Sequence, residues 1–375
     1  MNATLKKILR GKKACAPASH LWLKKKDGTM TKGAVKIGEG DYGKVYRGCI
    51  DDKCEKYIVY KEIRTPSLRE KNNDVPLAKY KKALDEINPK MEYTIAKKLE
   101  GFDVPKMYLY KTCDNKDILY SEYIKGKELG EWLWNQPSLE SIKSVMAQVI
   151  YNLYRIQQKY PGFRHHDLHT RNILVRRVPK KDIQINLKDK KYTLSNDGFE
   201  AVMIDFGFSV FPRIKNPLVN RDNYINIGIS RKSNKFYDLH YFLNGIYGLV
   251  RQPRTKTENT IRNFIKTLYP QEYLARRSAV VKNYRLRGVK FIEKPMVTVK
   301  NTKPHEASIP SFETVLSKPF FTGETALQKA IPVVKVKSMI KIVAPKPKTP
   351  VNQKVAMARA IAVMKAKPRP VVRRK

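Results

Sequence analysis

The segment His165–Leu174 reads HHDLHTRNIL, and the rest of the chain can be read outward from it. One carboxylate, Asp167, stands five residues before one carboxamide, Asn172, and the apolar pair Ile173 and Leu174 closes the stretch. Phosphoryl transfer from a nucleotide needs a group that orients the acceptor and an oxygen ligand for a metal, both on one short rigid loop. The D-x-x-x-x-N spacing meets that need if Asp167 orients an incoming hydroxyl and Asn172 coordinates Mg2+. Asp and Asn five apart are also common in polar loops. The spacing becomes an assignment only if the chain supplies a phosphate cradle, a lysine and a second metal carboxylate, in that order.

The cradle lies upstream, in AVKIGEGDYGKVYRGCI from Ala34. Gly38, Gly40 and Gly43 form G-x-G-x-x-G, and glycines let backbone N–H groups approach phosphate oxygens closely. A dinucleotide-binding fold would require a helix right after the third glycine and an acidic residue about 20 positions on. Instead the text continues KVYRGCI, alternating and β-branched, which reads as a strand. A second strand, YIVYKEI, follows the polar turn DDKCEK and carries Lys61. The motif therefore sits in a β-hairpin. The segment NPKMEYTIAKKLEGF is helical by pattern, with Met91, Ile95 and Leu99 four apart. Glu92 heads it and is the expected partner of Lys61, with Glu86 as the rival because the insertion from Arg64 to Pro89 blurs the spacing.

Next, DILYSEYIKGKEL gives a strand that Gly126 breaks. Pro137–Tyr160 is the clearest helix, with Ser138 as N-cap and Ile142, Val145, Met146, Val149, Ile150, Leu153 and Ile156 on one apolar face. Its expected role is to deliver the HHDLHTRNIL loop. After Leu174 comes a basic insert that extends a hairpin, then the buried strand Ala201–Ile204 ending in Asp205, Phe206 and Gly207. Asp205 is the second carboxylate that the loop requires. FYDLHYFLNGIYGLV reads as a buried helix.

Lys and Arg number 76 against 34 Asp and Glu, a net charge of +42 over 375 residues. Such an excess attracts polyanions, whether nucleic acid, anionic membrane or acidic protein, although a solvated surface with a basic tail would show it too. Four cysteines make no disulfide scaffold, and free thiols in a reducing compartment are expected. With no secretory h-region and no stretch of about 20 apolar residues, the reading is a soluble intracellular protein without a membrane span, in cytoplasm or nucleus.

In sequence order IGEGDYGKV, the VYK strand, a helix glutamate, SEYIKGKEL, HHDLHTRN and IDFGFS resemble a eukaryotic-type serine/threonine protein kinase domain, over about residues 35–290. The resemblance implies an α+β, bilobal fold with a β-rich N-lobe (about 33–123) and a mainly helical C-lobe (about 124–290). A basic arm (1–32) precedes this 33–290 domain, and a basic, extended Pro/Lys-rich tail (291–375) follows it. The implied cofactors are ATP and Mg2+, and the implied substrates are proteins. Asp167 would be the catalytic base, Lys61 the phosphate lysine held by Glu92, and Asn172 and Asp205 the metal ligands. Ile37, Gly38, Glu39, Gly40, Asp41, Tyr42, Gly43, Lys44 and Val45 would cover the nucleotide. Glu122 and Ile124 would offer backbone groups to adenine, with Ser121 controlling access behind it. Glu128 would lie near the ribose or substrate, and Asp238 would brace the catalytic loop.

Departures from the pattern are His166 in place of the usual arginine, His169 in place of the usual lysine, and no A-P-E sequence. His166 puts regulation by a phosphorylated loop in doubt. His169 is similar to the histidine of haspin-like and small-molecule kinases, and it could donate to the γ-phosphate. The divergence and the basic tail resemble kinases of large DNA viruses, those of algae in particular, which would place the protein in a host cell and in the virion. Two alternatives stay open: a kinase of aminoglycoside- or choline-like molecules, and a non-catalytic nucleic-acid- or virion-binding protein on a kinase scaffold.

Past Lys290 the text shifts to Pro, Lys and Val, with Glu324 its last acidic residue. This tail could bind nucleic acid or an acidic protein or virion surface. Within it, ASIPSFETVLSKPFFTG stands apart, because Phe312, Val315, Leu316, Phe320 and Phe321 are apolar enough to dock on the domain or to grip a partner.

Overall fold

A computed structural model describes residues 15–40, 43–64, 88–113, 116–219, 234–269, 271–274 and 310–323. Alternating, β-branched text dominates the first third, and it forms one antiparallel sheet of seven strands. They are β1 (Trp22–Lys24), β2 (Met30–Lys32), β3 (Val35–Gly40), β4 (Gly43–Cys49), β5 (Tyr57–Arg64), β6 (Met107–Cys113) and β7 (Lys116–Glu122). The order is β2-β1-β4-β5-β7-β6, with β3 also paired to β4. Helix α1 (Pro89–Lys98) packs against β6 and β7. It begins where Asn88 accepts the Met91 N–H and Pro89 takes a position that needs no donor, and it buries Met91 and Ile95.

The first 32 residues are more than an arm. Asp27 and Gly28 make a tight turn, with Gly28 at φ +87° and Asp27 accepting the Thr29 N–H, and this closes the β1–β2 hairpin. Leu21, fully buried, packs against Gly48, where an added Cβ would lie 2.8 Å from the Leu21 side chain. The Tyr60 hydroxyl donates to the Ala16 carbonyl. This segment carries Cys15 to the end of β6, and the expectation of free thiols is overturned. Cys15 is joined to Cys113 and Cys49 to Cys54, with Cα atoms 5.8 and 5.1 Å apart.

Below the sheet lie β8 (Gly126–Glu128), α2 (Leu129–Trp134), α3 (Leu139–Lys159), β9 (Ile173–Arg177), β10 (Asp182–Asn186), β11 (Lys191–Ser195), β12 (Phe199–Met203), α4 (Tyr237–Val250) and α5 (Lys256–Lys266). Ser138 caps α3 by accepting the Ser141 N–H, and all seven residues of the expected apolar face are buried. The insert does extend a hairpin: β9 pairs with β12, and β10–β11 forms a second ladder between them.

Residues 310–323, which composition assigns to the extended tail, belong to the core. Two short helices, α6 (Phe312–Leu316) and α7 (Pro319–Thr322), lie against α3 and β11. Phe312, Val315, Leu316 and Phe321 are buried, Phe320 stacks on Phe264 at 3.9 Å, and Tyr192 donates to the Leu316 carbonyl at 2.9 Å. Burying such side chains contributes roughly 1.5–3 kcal/mol each, enough to hold the segment in place despite its basic flanks. Among the described residues, no helix is long and apolar enough to cross a membrane.

Candidate active site

The β3–β4 hairpin pairs Gly38 with Val45, Glu39 with Lys44 and Gly40 with Gly43, flanking Asp41 and Tyr42, which lie outside the described residues. Ile37 is exposed on β3. Glu39 is ion-paired with Lys36 at 2.7 Å and lies 3.9 Å from Lys44. Gly43 is demanded by packing, because a Cβ there would sit 2.1 Å from the Glu62 carbonyl of β5. The third glycine of the motif thus answers to its neighbouring strand.

Lys61 on β5 donates to both carboxylate oxygens of Glu92, at 2.8 and 2.9 Å. Its rival Glu86 lies outside the described residues. The Asp205 carboxylate is 3.8 Å from the same ammonium. Withdrawal from water works against the Lys61 charge, but Asp205 and Glu92 outweigh it and hold its pKa above the usual lysine value. The same withdrawal pushes Glu92 up against the pull of Lys61, and the Lys61 charge holds Asp205 below the usual carboxylate range.

The loop that carries Asp167 is held from below by α4. Asp238, fully buried, accepts the main-chain N–H of His165 at 2.7 Å and of His166 at 2.8 Å, one on each carboxylate oxygen. This clamp holds His166 at φ +64°, a left-handed conformation that non-glycine residues rarely adopt. Within the loop, the Asn172 carboxamide donates to the Asp167 carbonyl at 2.9 Å and to its carboxylate at 3.2 Å. The Asn172 carbonyl accepts the Ile204 N–H at 2.9 Å, tying the loop to the strand that ends in Asp205. The His165 ring spans the same gap, with Nε2 bonded to the Ile204 carbonyl at 3.0 Å.

Burial lowers the pKa of all three loop histidines, His166 and His169 to about 4. His169 accepts the Arg171 N–H on Nδ1 at 3.2 Å, so in its neutral form the proton sits on Nε2, which faces the Asp167 carboxylate at 3.6 Å. Glu128, which precedes α2, lies 3.7 Å from Arg171, and burial raises its pKa against that cation. At the junction between sheet and helices, the Glu122 N–H is engaged by the Lys106 carbonyl and the Ile124 carbonyl accepts the Gly126 N–H. Ser121 lies opposite Val59 of β5 and Met107 of β6, one residue before β7 ends at Glu122.

Asp205 and Asn172 are hard oxygen donors. Such a pair suits Mg2+, which is commonly held by one or two protein groups together with substrate phosphates. Sequence reasoning missed Asn216 and the hydrogen bond of the His166 ring. Asn216 is a single polar residue in a loop, and nothing in its sequence spacing distinguishes it.

An antiparallel sheet bearing a glycine hairpin and a lysine–glutamate pair, set over a helix-braced D-x-x-x-x-N loop and a D-F-G segment, defines a protein kinase domain. Residues 32–218 match the protein kinase domain family, and this part of the chain is a divergent protein kinase domain of viral type. A protein of Acanthamoeba polyphaga mimivirus, provisionally named a serine/threonine-protein kinase, is 26% identical over 248 residues, 61% of this chain and 50% of the relative. A provisionally named kinase of Invertebrate iridescent virus 3 is 30% identical over 131 residues, 34% of this chain and 24% of the relative. A second mimivirus protein of the same provisional name as the first is 34% identical over 112 residues, 28% of this chain and 26% of the relative. The chain therefore spans half the length of the first relative and about a quarter of the other two.

Proposed function

We propose that the protein transfers the γ-phosphate of ATP to serine or threonine hydroxyls of proteins, with Mg2+. The observation that carries the proposal is Lys61, bonded to Glu92 at 2.8 Å and lying 3.8 Å from Asp205. Lys61, fixed by Glu92, binds the α- and β-phosphates through its positive charge. Asp205 and Asn172 hold the metal, which when bound offsets charge on the phosphate oxygens. Asp167, oriented by the Asn172 carboxamide, accepts the hydrogen bond of the incoming hydroxyl and aims it in line. His169 presents a neutral Nε2–H beside Asp167 and donates to the phosphoryl group. The β3–β4 hairpin (Ile37–Val45) covers the nucleotide, Glu122 and Ile124 meet adenine through the backbone, and Glu128 borders the ribose or acceptor. Positioning and preorganised charge supply most of the rate.

The family match favours protein acceptors over aminoglycoside- or choline-like ones. A non-catalytic scaffold would be expected to lack one of Lys61, Asp167, Asn172 or Asp205, and all four are present. The domain is proposed to run from about 33 to 290 with residues 310–323 docked on it. The remainder of the basic tail is proposed as a contact for nucleic acid or an acidic protein or virion surface, on charge alone. Phosphoamino-acid analysis after incubation with labelled ATP, Mg2+ and a mixed protein extract tests the activity, and phosphoserine and phosphothreonine are the expected products. Truncation after Gly323 tests the tail: salt-sensitive retention on DNA should weaken, and equal retention removes the nucleic-acid reading.

A further inference from the structure

The segment that follows Asp205 is held by hydrogen bonds along its length. Every backbone carbonyl from Phe206 to Phe211 accepts a hydrogen bond. Phe206 accepts from the Ser209 N–H at 3.0 Å, Val210 from the Arg164 N–H at 3.0 Å and Phe211 from the Ile214 N–H at 3.1 Å. Side chains supply the other three. The Asn216 carboxamide nitrogen donates to the Gly207 carbonyl at 3.0 Å and to the Ser209 carbonyl at 2.9 Å. The His166 ring donates from Nδ1 to the Phe208 carbonyl at 3.2 Å. The Asn216 oxygen in turn accepts the Leu218 N–H at 2.9 Å, and the residue is buried at 3% exposure. One carboxamide therefore makes three hydrogen bonds and closes residues 207–218 on themselves.

This closure reaches the reacting groups through Gly207. Its N–H donates to the Asp205 carboxylate at 3.3 Å, and its carbonyl is the one that Asn216 holds. Asp205 itself sits at φ +64°, a conformation its surroundings must impose. The donors that fix the segment are a carboxamide, an imidazole and backbone N–H groups.

We propose that Asn216 is a positioning residue for Asp205: with His166 it latches the segment after D-F-G in the metal-ready conformation before nucleotide arrives and without a phosphorylated residue. The inference rests on the proposed function, since Asp205 must be a metal ligand for the latch to matter. Asn216→Asp keeps the acceptor for Leu218, removes both donors and turns a carboxylate toward two carbonyl oxygens. Asn216→Ser keeps one donor.

The test is binding of a fluorescent ATP analogue to the full chain, titrated with Mg2+ and repeated in EDTA. The Mg2+ concentration giving half-maximal tightening should rise about tenfold in Asn216→Asp and about threefold in Asn216→Ser, as expected for losing two and one modest hydrogen bonds. Affinity in EDTA should stay within twofold of wild type, which a general loss of structure would not allow. A wild-type response to Mg2+ that the folded variants share within a factor of two overturns the latch alone. A wild type whose binding ignores Mg2+ overturns the proposed function and the latch with it. In wild type without nucleotide, the Ser209, Val210 and Leu218 amides should exchange slowly with solvent deuterium, and rapid exchange there also overturns the latch.

Discussion

Replacing Asp238 by asparagine removes half of the clamp under the catalytic loop, and its consequences can be worked out from the geometry. Both carboxylate oxygens accept main-chain N–H groups, at 2.7 Å from His165 and 2.8 Å from His166, with no solvent exposure. A carboxamide in that place would satisfy one donor and turn its own NH2 toward the other. A hydrogen bond to a charged acceptor contributes about 1.5–3 kcal/mol, and a buried donor left unpaired costs about 1–3 kcal/mol. The left-handed backbone of His166 stores on the order of 1–3 kcal/mol that the clamp holds in place. Asp238→Asn should therefore destabilise the fold by about 3 kcal/mol, and relaxation at His166 would displace the adjoining Asp167. A displacement near 1 Å in a reacting group costs roughly a hundredfold in rate. Urea unfolding followed by circular dichroism gives the first quantity, and kcat with a protein acceptor gives the second. If the variant keeps its stability to within about 0.5 kcal/mol and its kcat to within about twofold, the bracing account is refuted.

Two further outcomes follow from other parts of the structure. His166, His169 and His240 have pKa values lowered by burial from 6.5 to about 4, so the unfolded chain binds more protons than the native one between those values. Stability is then full above pH 6.5 and falls as the pH drops toward 4, by about 2 kcal/mol per histidine on going from pH 7.5 to 5. Urea midpoints at the two pH values check the sign, and a higher midpoint at pH 5 would reverse it. Phe312→Ala should cost about 3–5 kcal/mol in the same unfolding assay, because the ring is buried against Tyr154 and Phe236. A change below about 1 kcal/mol would mean that residues 310–323 do not dock in solution.

Much of the site can be read from sequence because kinase-like chemistry fixes residue types at short spacings. Asp167 to Asn172, the glycine hairpin and D-F-G each lie within a dozen residues, and the helical periods around them show where the supporting elements begin. The Asp238 brace is anticipated only through the resemblance to the kinase family, since a carboxylate opening an apolar helix would otherwise read as a partner of the helix dipole. What escapes is contact between distant parts of the chain. Cys15 and Cys113 lie 98 residues apart, and the pairing of β1 with β4, the packing of Leu21 on Gly48 and the Tyr60–Ala16 hydrogen bond bring that end of the chain to the sheet. The Asp27–Gly28 turn was a legible hairpin signal hidden in a lysine-rich run. Composition drew the tail boundary too early, because lysine and proline flank an apolar cluster that the fold buries. Asn216 carried no sequence signal at all, since its importance lies in which carbonyls happen to face it.

Asp167 and Lys61 are proposed to act together on Mg-ATP. Transfer of labelled γ-phosphate to a protein acceptor should be robust for wild type. In Asp167→Ala and Lys61→Ala it should fall by at least about a hundredfold, the scale of losing a positioned acid–base group. Undiminished labelling by Asp167→Ala would contradict the account.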